Sequence, residues 1–135
     1  MIFLNPQNIT LDGQPLDRVR AITISRRADR LVVEHSDAGP HPTFVDAPEQ
    51  RTTITLVRDL TTGDPGVNAT LNPGRQASLA FTTAPNASDA DARSFSATVV
   101  ITAAEVDLRR DGSATQTLRT LAVSTTGASD PFSIT

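Results

Sequence analysis

The sequence predicts an all-β, mainly antiparallel domain, a β-sandwich or partly open barrel. Three observations carry this reading. Apolar residues recur at every second position, the period of a strand with one buried face. The runs are too short for long helices, and seven to nine of them fit the chain. Turn signals separate them, among them Asp12-Gly13, Asn72-Pro73-Gly74 and Asp111-Gly112.

Each element follows from its residues. Asn8–Leu11 is a short strand closed by Asp12-Gly13, which supplies the positive φ of a tight hairpin turn. Pro15 limits the next strand to a sheet edge or a strand start. Val19–Arg26 alternates, with Ile22 and Ile24 on one face and Ala21, Thr23 and Ser25 on the other. Residues Arg27–Asp29 are placed as a turn into Arg30–Glu34, where Leu31, Val32 and Val33 are apolar. From His35 to Gln50 the alternation stops among Gly39, Pro40, Pro42 and Pro48, and this stretch is expected to be a long loop. Long ordered loops are usually functional.

Arg51–Leu60 alternates again, with Ile54 and Leu56 opposite Thr53, Thr55 and Val57. Thr61–Gly74 holds two turn signals and has room for one short helix, although nothing there caps it. Gln76–Thr82 carries Leu79 and Phe81 on its apolar face, and Pro85–Asp91 is a polar loop. Ser94–Ala103 is the clearest strand: Phe95, Ala97, Val99 and Ile101 share one face. Glu105–Arg110, Asp111-Gly112 and Thr115–Ser124 read as a hairpin. Gly127–Pro131 turns the chain into a last strand, Phe132–Ile134. No internal repeat or boundary divides residues 1–135, which read as a single β domain with the loop at 35–50.

Composition narrows the function. There is no Trp, Tyr or Cys. Sugar- and base-stacking platforms lean on the first two, and thiolate metal sites and cysteine nucleophiles need the third. All twelve basic residues are Arg, and the net charge of −3 is spread over both halves. No basic patch is present to grip phosphates. Met1–Leu11 lacks the basic start and long apolar core of a signal peptide, and no stretch approaches a membrane span.

Catalytic kits are missing as well. His35 and His41 are the only histidines, with Asp37 between them. A fourth ligand is not pre-placed, so they read as exposed histidines rather than a metal site. Neither a Gly-x-Ser-x-Gly elbow nor a Gly-rich phosphate loop occurs. Glu105 and Asp107 share a strand face and are the carboxylate pair open to acid–base use in an enzyme. A solvated strand face is the plainer reading. The three Asn-x-Ser/Thr sequons, at Asn8, Asn68 and Asn86, are explained by a Thr-rich chain. The expectation is no enzyme, no cofactor and no metal.

The strands have few of the devices that protect a sheet edge: Lys is absent, and the prolines lie mostly in turns. Their second faces carry Thr, Ser and Ala, which suit close sheet contact. Ordered assembly between copies follows as a hypothesis.

Two segments carry a family resemblance. The opening Ile9-Thr10-Leu11-Asp12-Gly13-Gln14-Pro15-Leu16 leads into Val19–Ser25 and Leu31–Glu34. The close runs Thr117-Leu118-Arg119-Thr120-Leu121-Ala122-Val123-Ser124-Thr125-Thr126-Gly127, then Asp130-Pro131-Phe132-Ser133-Ile134. Together they resemble a small tail tube protein of long-tailed bacteriophages or of a phage-derived tail-like particle. The resemblance implies a β domain of the tail tube type. It also implies a structural virion protein, assembled in the host cytoplasm into rings, six subunits each, that stack into a tube. Its partners would be itself, other tail proteins and double-stranded DNA, which passes through the lumen without specific binding during ejection; no membrane is involved. The resemblance places His35, Asp37, His41, Phe44, Val45, Asp46 and Glu49 on a loop that reaches an adjacent subunit or ring. Glu105, Asp107 and Asp111 are the lumen candidates, since an acidic lining repels DNA. The rival readings are a non-polymerising binding module, such as a tail-tip, capsid-decoration or adhesin domain, and the ring protein of a contractile secretion device. A carbohydrate-active sandwich using Glu105 and Asp107 is the enzyme alternative.

Overall fold

The computed structural model describes residues 5–16, 18–60, 72–84, 93–124, 126–127 and 130–134. Eight strands follow one another: β1 (Asn5–Leu11), β2 (Gln14–Pro15), β3 (Val19–His35), β4 (Pro42–Asp59), β5 (Gln76–Ala84), β6 (Arg93–Leu108), β7 (Ala114–Ala122) and β8 (Phe132–Ile134). All pairings are antiparallel, in one sheet of order β2-β1-β5-β6-β7-β4-β3. β8 lies against β6 below the end of β7, so the two share one side of that strand. The fold is all-β, with no helix among the described residues. Most of Thr61–Gly74, where room for a short helix is expected, lies outside the described residues, as do the expected loop Pro85–Asp91 and the sequons at Asn68 and Asn86.

The alternation sets the core. A row of directly opposed residues crosses four strands on the inner face: Ile24, Ile54, Thr120 and Ile101. The next inner row is Ile22, Leu56, Leu118 and Ala104. Ile54, Leu56, Leu79, Val99, Ile101 and Leu118 are fully buried. Buried polar groups on this face are bonded: Thr120 Oγ1 donates to the Ile54 carbonyl at 2.8 Å, and Arg58 Nε donates to Gln116 Oε1 at 2.6 Å. Phe81 stacks on Phe95, with centroids 5.0 Å apart, and Phe95 meets Phe132 at 5.6 Å. These rings join β5, β6 and β8.

Chain length forces the sheet to curl. A flat path of seven strands would set β2 and β3 about 29 Å apart. Pro15 ends β2 and Val19 begins β3, and four residues reach at most about 14 Å. Leu16, Val19 and Ile22 pack on the core that also holds Ile9 and Leu11. The two edge strands do not pair with each other, so the barrel stays open at this seam.

Several expectations meet the geometry directly. Asp12 (φ 54) and Gly13 (φ 78) make the two-residue hairpin turn between β1 and β2, and Pro15 sits on the edge strand. The β6–β7 hairpin forms around Gly112 (φ 89).

Two expectations are corrected. Residues 27–29 are no turn: β3 runs unbroken through them, with a bulge between Ala28 and Arg30 that absorbs the irregularity. The long loop at 35–50 contracts to a six-residue turn, 36–41, because β4 already begins at Pro42. Thr43, Phe44 and Val45 are strand-formers, and Phe44 and Val45 pair with Glu34 and Val33. The prolines misled the reading. Pro42 is the first residue of its strand, and Pro48 falls where the register slips between Asp46 and Glu49, both places a sheet tolerates proline.

Candidate functional site

Past Thr52 the β3–β4 hairpin leaves the sheet. β4 pairs with β7 only from Thr53 to Asp59, whereas its pairing with β3 continues to Pro42. The result is a two-stranded arm that projects by about 30 Å at 3.3 Å per residue. All seven residues assigned to an inter-subunit loop sit on this arm: His35 ends β3, Asp37 and His41 lie in the turn, and Phe44, Val45, Asp46 and Glu49 belong to β4.

The arm's own contacts are weak. Arg51 Nε meets Asp29 Oδ2 at 3.0 Å, Arg30 lies 3.9 Å from Glu49, and Thr43 Oγ1 donates to the Glu34 carbonyl at 3.3 Å. Exposed pairs of this kind add little stability, and a two-stranded ribbon alone is marginal in water. Its apolar residues nevertheless face solvent: Val45 is 56 % exposed and Phe44 50 %, with Leu31 and Val33 similarly open. Val33 lies opposite Val45 on one face, and Phe44 lies opposite Glu34 on the other. Both faces of the arm therefore present apolar surface.

Leu31 and Val33 were missed as site residues. A usable signal exists, because the pairs Val33/Val45 and Glu34/Phe44 are both centred on Gly39. Apolar residues mirrored about a Gly-Pro pair mark a hairpin even where prolines interrupt the alternation.

The carboxylates of the lumen assignment lie at the opposite end. Register places the β6–β7 turn beside the end of β4, since Asp59 and Asp107 both oppose Thr115. Glu105 and Asp107 point away from the core face that carries Val106 and Leu108. Glu105 lies 3.8 Å from Arg119, and Asp107 3.3 Å from Arg109. Both are exposed and lack the burial that a general acid needs. Asp111 accepts from the Ser113 hydroxyl at 2.6 Å and from its backbone N–H at 2.9 Å, and these bonds hold its carboxyl below the usual range.

The open seam forms a shallow cleft of about 440 Å³ lined by Pro6, Asn8, Leu16 and Arg18, among others. Asn8 (φ 52) and Arg18 (φ 60) both take left-handed backbone there. Among the described residues, no group of three or more His, Asp or Glu side chains is placed to hold a metal. Compared with known proteins, the sequence matches no family model and no curated protein.

Proposed function

We propose that this chain is a structural subunit that assembles through β-sheet contacts, and that its assembly is a tail tube: stacked rings, six subunits each, whose lumen conducts double-stranded DNA. The projecting arm carries the proposal. A ribbon of this length, apolar on both faces and held by exposed ion pairs, needs a neighbour to be stable. The curled sheet supports it further. The outer edges of β2 and β3 carry no further strand among the described residues, and lateral pairing between copies would cover them. The outer face adds a row of Ser25, Thr53, Leu121, Val100 and Gln76, uncharged and suited to contact. In this reading Glu105, Asp107 and Asp111 are surface acids available to a lumen, and no reaction is catalysed.

Negative-stain electron microscopy with sedimentation velocity tests the proposal. Rings or tubes that grow with protein concentration are expected. A strictly monomeric protein at high concentration, absent also from purified tails, would overturn it. A fixed small stoichiometry with one partner would favour the binding-module reading instead.

A further inference from the structure

The arm loses its main-chain support at one rung. The ladder from β4 to β7 ends at Thr53–Leu121, and the next rung between β3 and β4, Arg26–Thr52, already belongs to the arm. β7 itself stops at Ala122, opposite Val99, and β8 takes up the same line along β6 with Phe132 opposite Ala97. β8 therefore fills the place beside the arm's root that β7 vacates. No ladder joins β8 to β4 among the described residues. Side chains span that gap instead. Arg26 gives its guanidinium to Asp130, which also accepts the Phe132 N–H at 3.0 Å. The same guanidinium lies 5.9 Å from the centre of the Phe132 ring, and Arg26 Nε donates to Thr52 Oγ1 at 3.4 Å. One rung further out, Arg27 and Arg51 stand directly opposed, relieved in part by Asp29. Like charges so placed do nothing to stiffen the root.

We infer that β8 is a latch for the arm. Docked on β6 by three rungs and by Phe132 against Phe95, it holds Arg26 through Asp130 and so fixes the arm's direction. Undocked, it frees the arm to swing about the Arg26–Thr52 rung. Exposed ion pairs add little to the stability of a fold, but a lever that touches little else is aimed by small energies. On an arm of about 30 Å, a rotation of about 10° at the root moves the tip by about 5 Å. The coupling is reciprocal. Whatever pulls the arm aside loosens β8, and whatever displaces β8 from Phe95–Ala97 frees the arm. This device is built into a single chain and does not depend on what that chain assembles into.

Spin labels test this, because the chain has no Cys and two introduced ones take labels cleanly. Asp37→Cys marks the arm tip and Ser78→Cys the sheet, both at exposed positions. Pulsed dipolar spectroscopy reads the distribution of their separation, at a protein concentration where sedimentation velocity shows a monomer. The doubly labelled parent should give one narrow distance. Arg26→Gln, Asp130→Asn and Phe132→Ala should each widen the distribution at least about twofold, as further arm directions become populated. Phe132→Ala carries special weight, since it leaves Arg26 and Asp130 in place and acts through β8. Glu49→Gln, which removes the Arg30–Glu49 pair on the arm itself, should change nothing. Circular dichroism checks each fold. Arg26 and Asp130 are half exposed, so their variants should stay folded even where Phe132→Ala does not. A parent distribution as wide as the variants', a folded variant among the three that keeps the parent's narrow distance, or an equal widening with Glu49→Gln would overturn the inference. Failure of the assembly reading shows separately, as the absence of rings or tubes by microscopy.

Discussion

Arg26 donates from its guanidinium to the Asp130 carboxylate, which ties the third strand to the segment that leads into the last one. The same guanidinium lies 5.9 Å from the centre of the Phe132 ring, within the range of a cation–π contact. Its Nε donates to Thr52 Oγ1 at 3.4 Å. Arg26 stands where the arm leaves the sheet, so this contact joins the root of the arm to the C-terminal strand.

The ion pair has a pH signature. The hydrogen bond from Arg26, with help from the Phe132 N–H, holds the Asp130 carboxyl below the usual range. A depressed folded-state pKa contributes stability above the unfolded value, and that contribution disappears as pH falls through the folded value. Asp130→Asn should therefore lower the melting temperature at pH 7, and the gap from wild type should close as the pH falls below the ordinary aspartate range and through the lowered folded value. Thermal melts from pH 2 to pH 7 measure it; a gap that stays constant with pH would exclude the ionic origin.

Phe132 anchors a strand of only three residues. It is buried and contacts Phe95, while Ile134 two residues on is exposed. Phe132→Ala should cost about 3 kcal/mol, at the lower end for a buried aromatic. The loss should be local. Amide exchange should speed up at Phe95–Ala97, the residues β8 pairs with, more than at Ile54 or Leu118.

Gln116 is a core residue with no exposed surface, and its Oε1 receives Arg58 Nε. Gln116→Leu keeps the volume and removes that acceptor from a buried cation. Chemical denaturation should show a loss of about 2–3 kcal/mol. Gln116→Glu should be tolerated better at neutral pH, because the charge-assisted bond to Arg58 survives.

The arm should separate folding from assembly. Replacing residues 30–47 by a two-residue Asn-Gly turn removes no residue of the buried core. The shortened chain should stay folded, with a melting temperature within a few degrees of wild type and no rings or tubes by microscopy. Unfolding of that variant would show that the arm belongs to the core's stability; tubes would show that contact is made elsewhere.

Much of the fold was legible residue by residue. Phe95, Ala97, Val99 and Ile101 were readable as one face, and Asp12-Gly13 as a hairpin turn, because both signals are local. The arm was not, because Pro42 and Pro48 break the alternation and only pairing with Val33 and Glu34 makes Phe44 and Val45 a strand.

By itself the sequence determined the strand faces, the turns at Asp12-Gly13 and Asp111-Gly112 and the absence of familiar catalytic motifs, since side-chain alternation and turn chemistry act over a few residues. Tertiary structure decided how far each strand runs, that the sheet curls to an open seam, and that β3 and β4 outlast their neighbours. Those outcomes depend on which strands end up adjacent and where each pairing stops. That is set by burying one shared core, a property of the whole chain rather than of any segment.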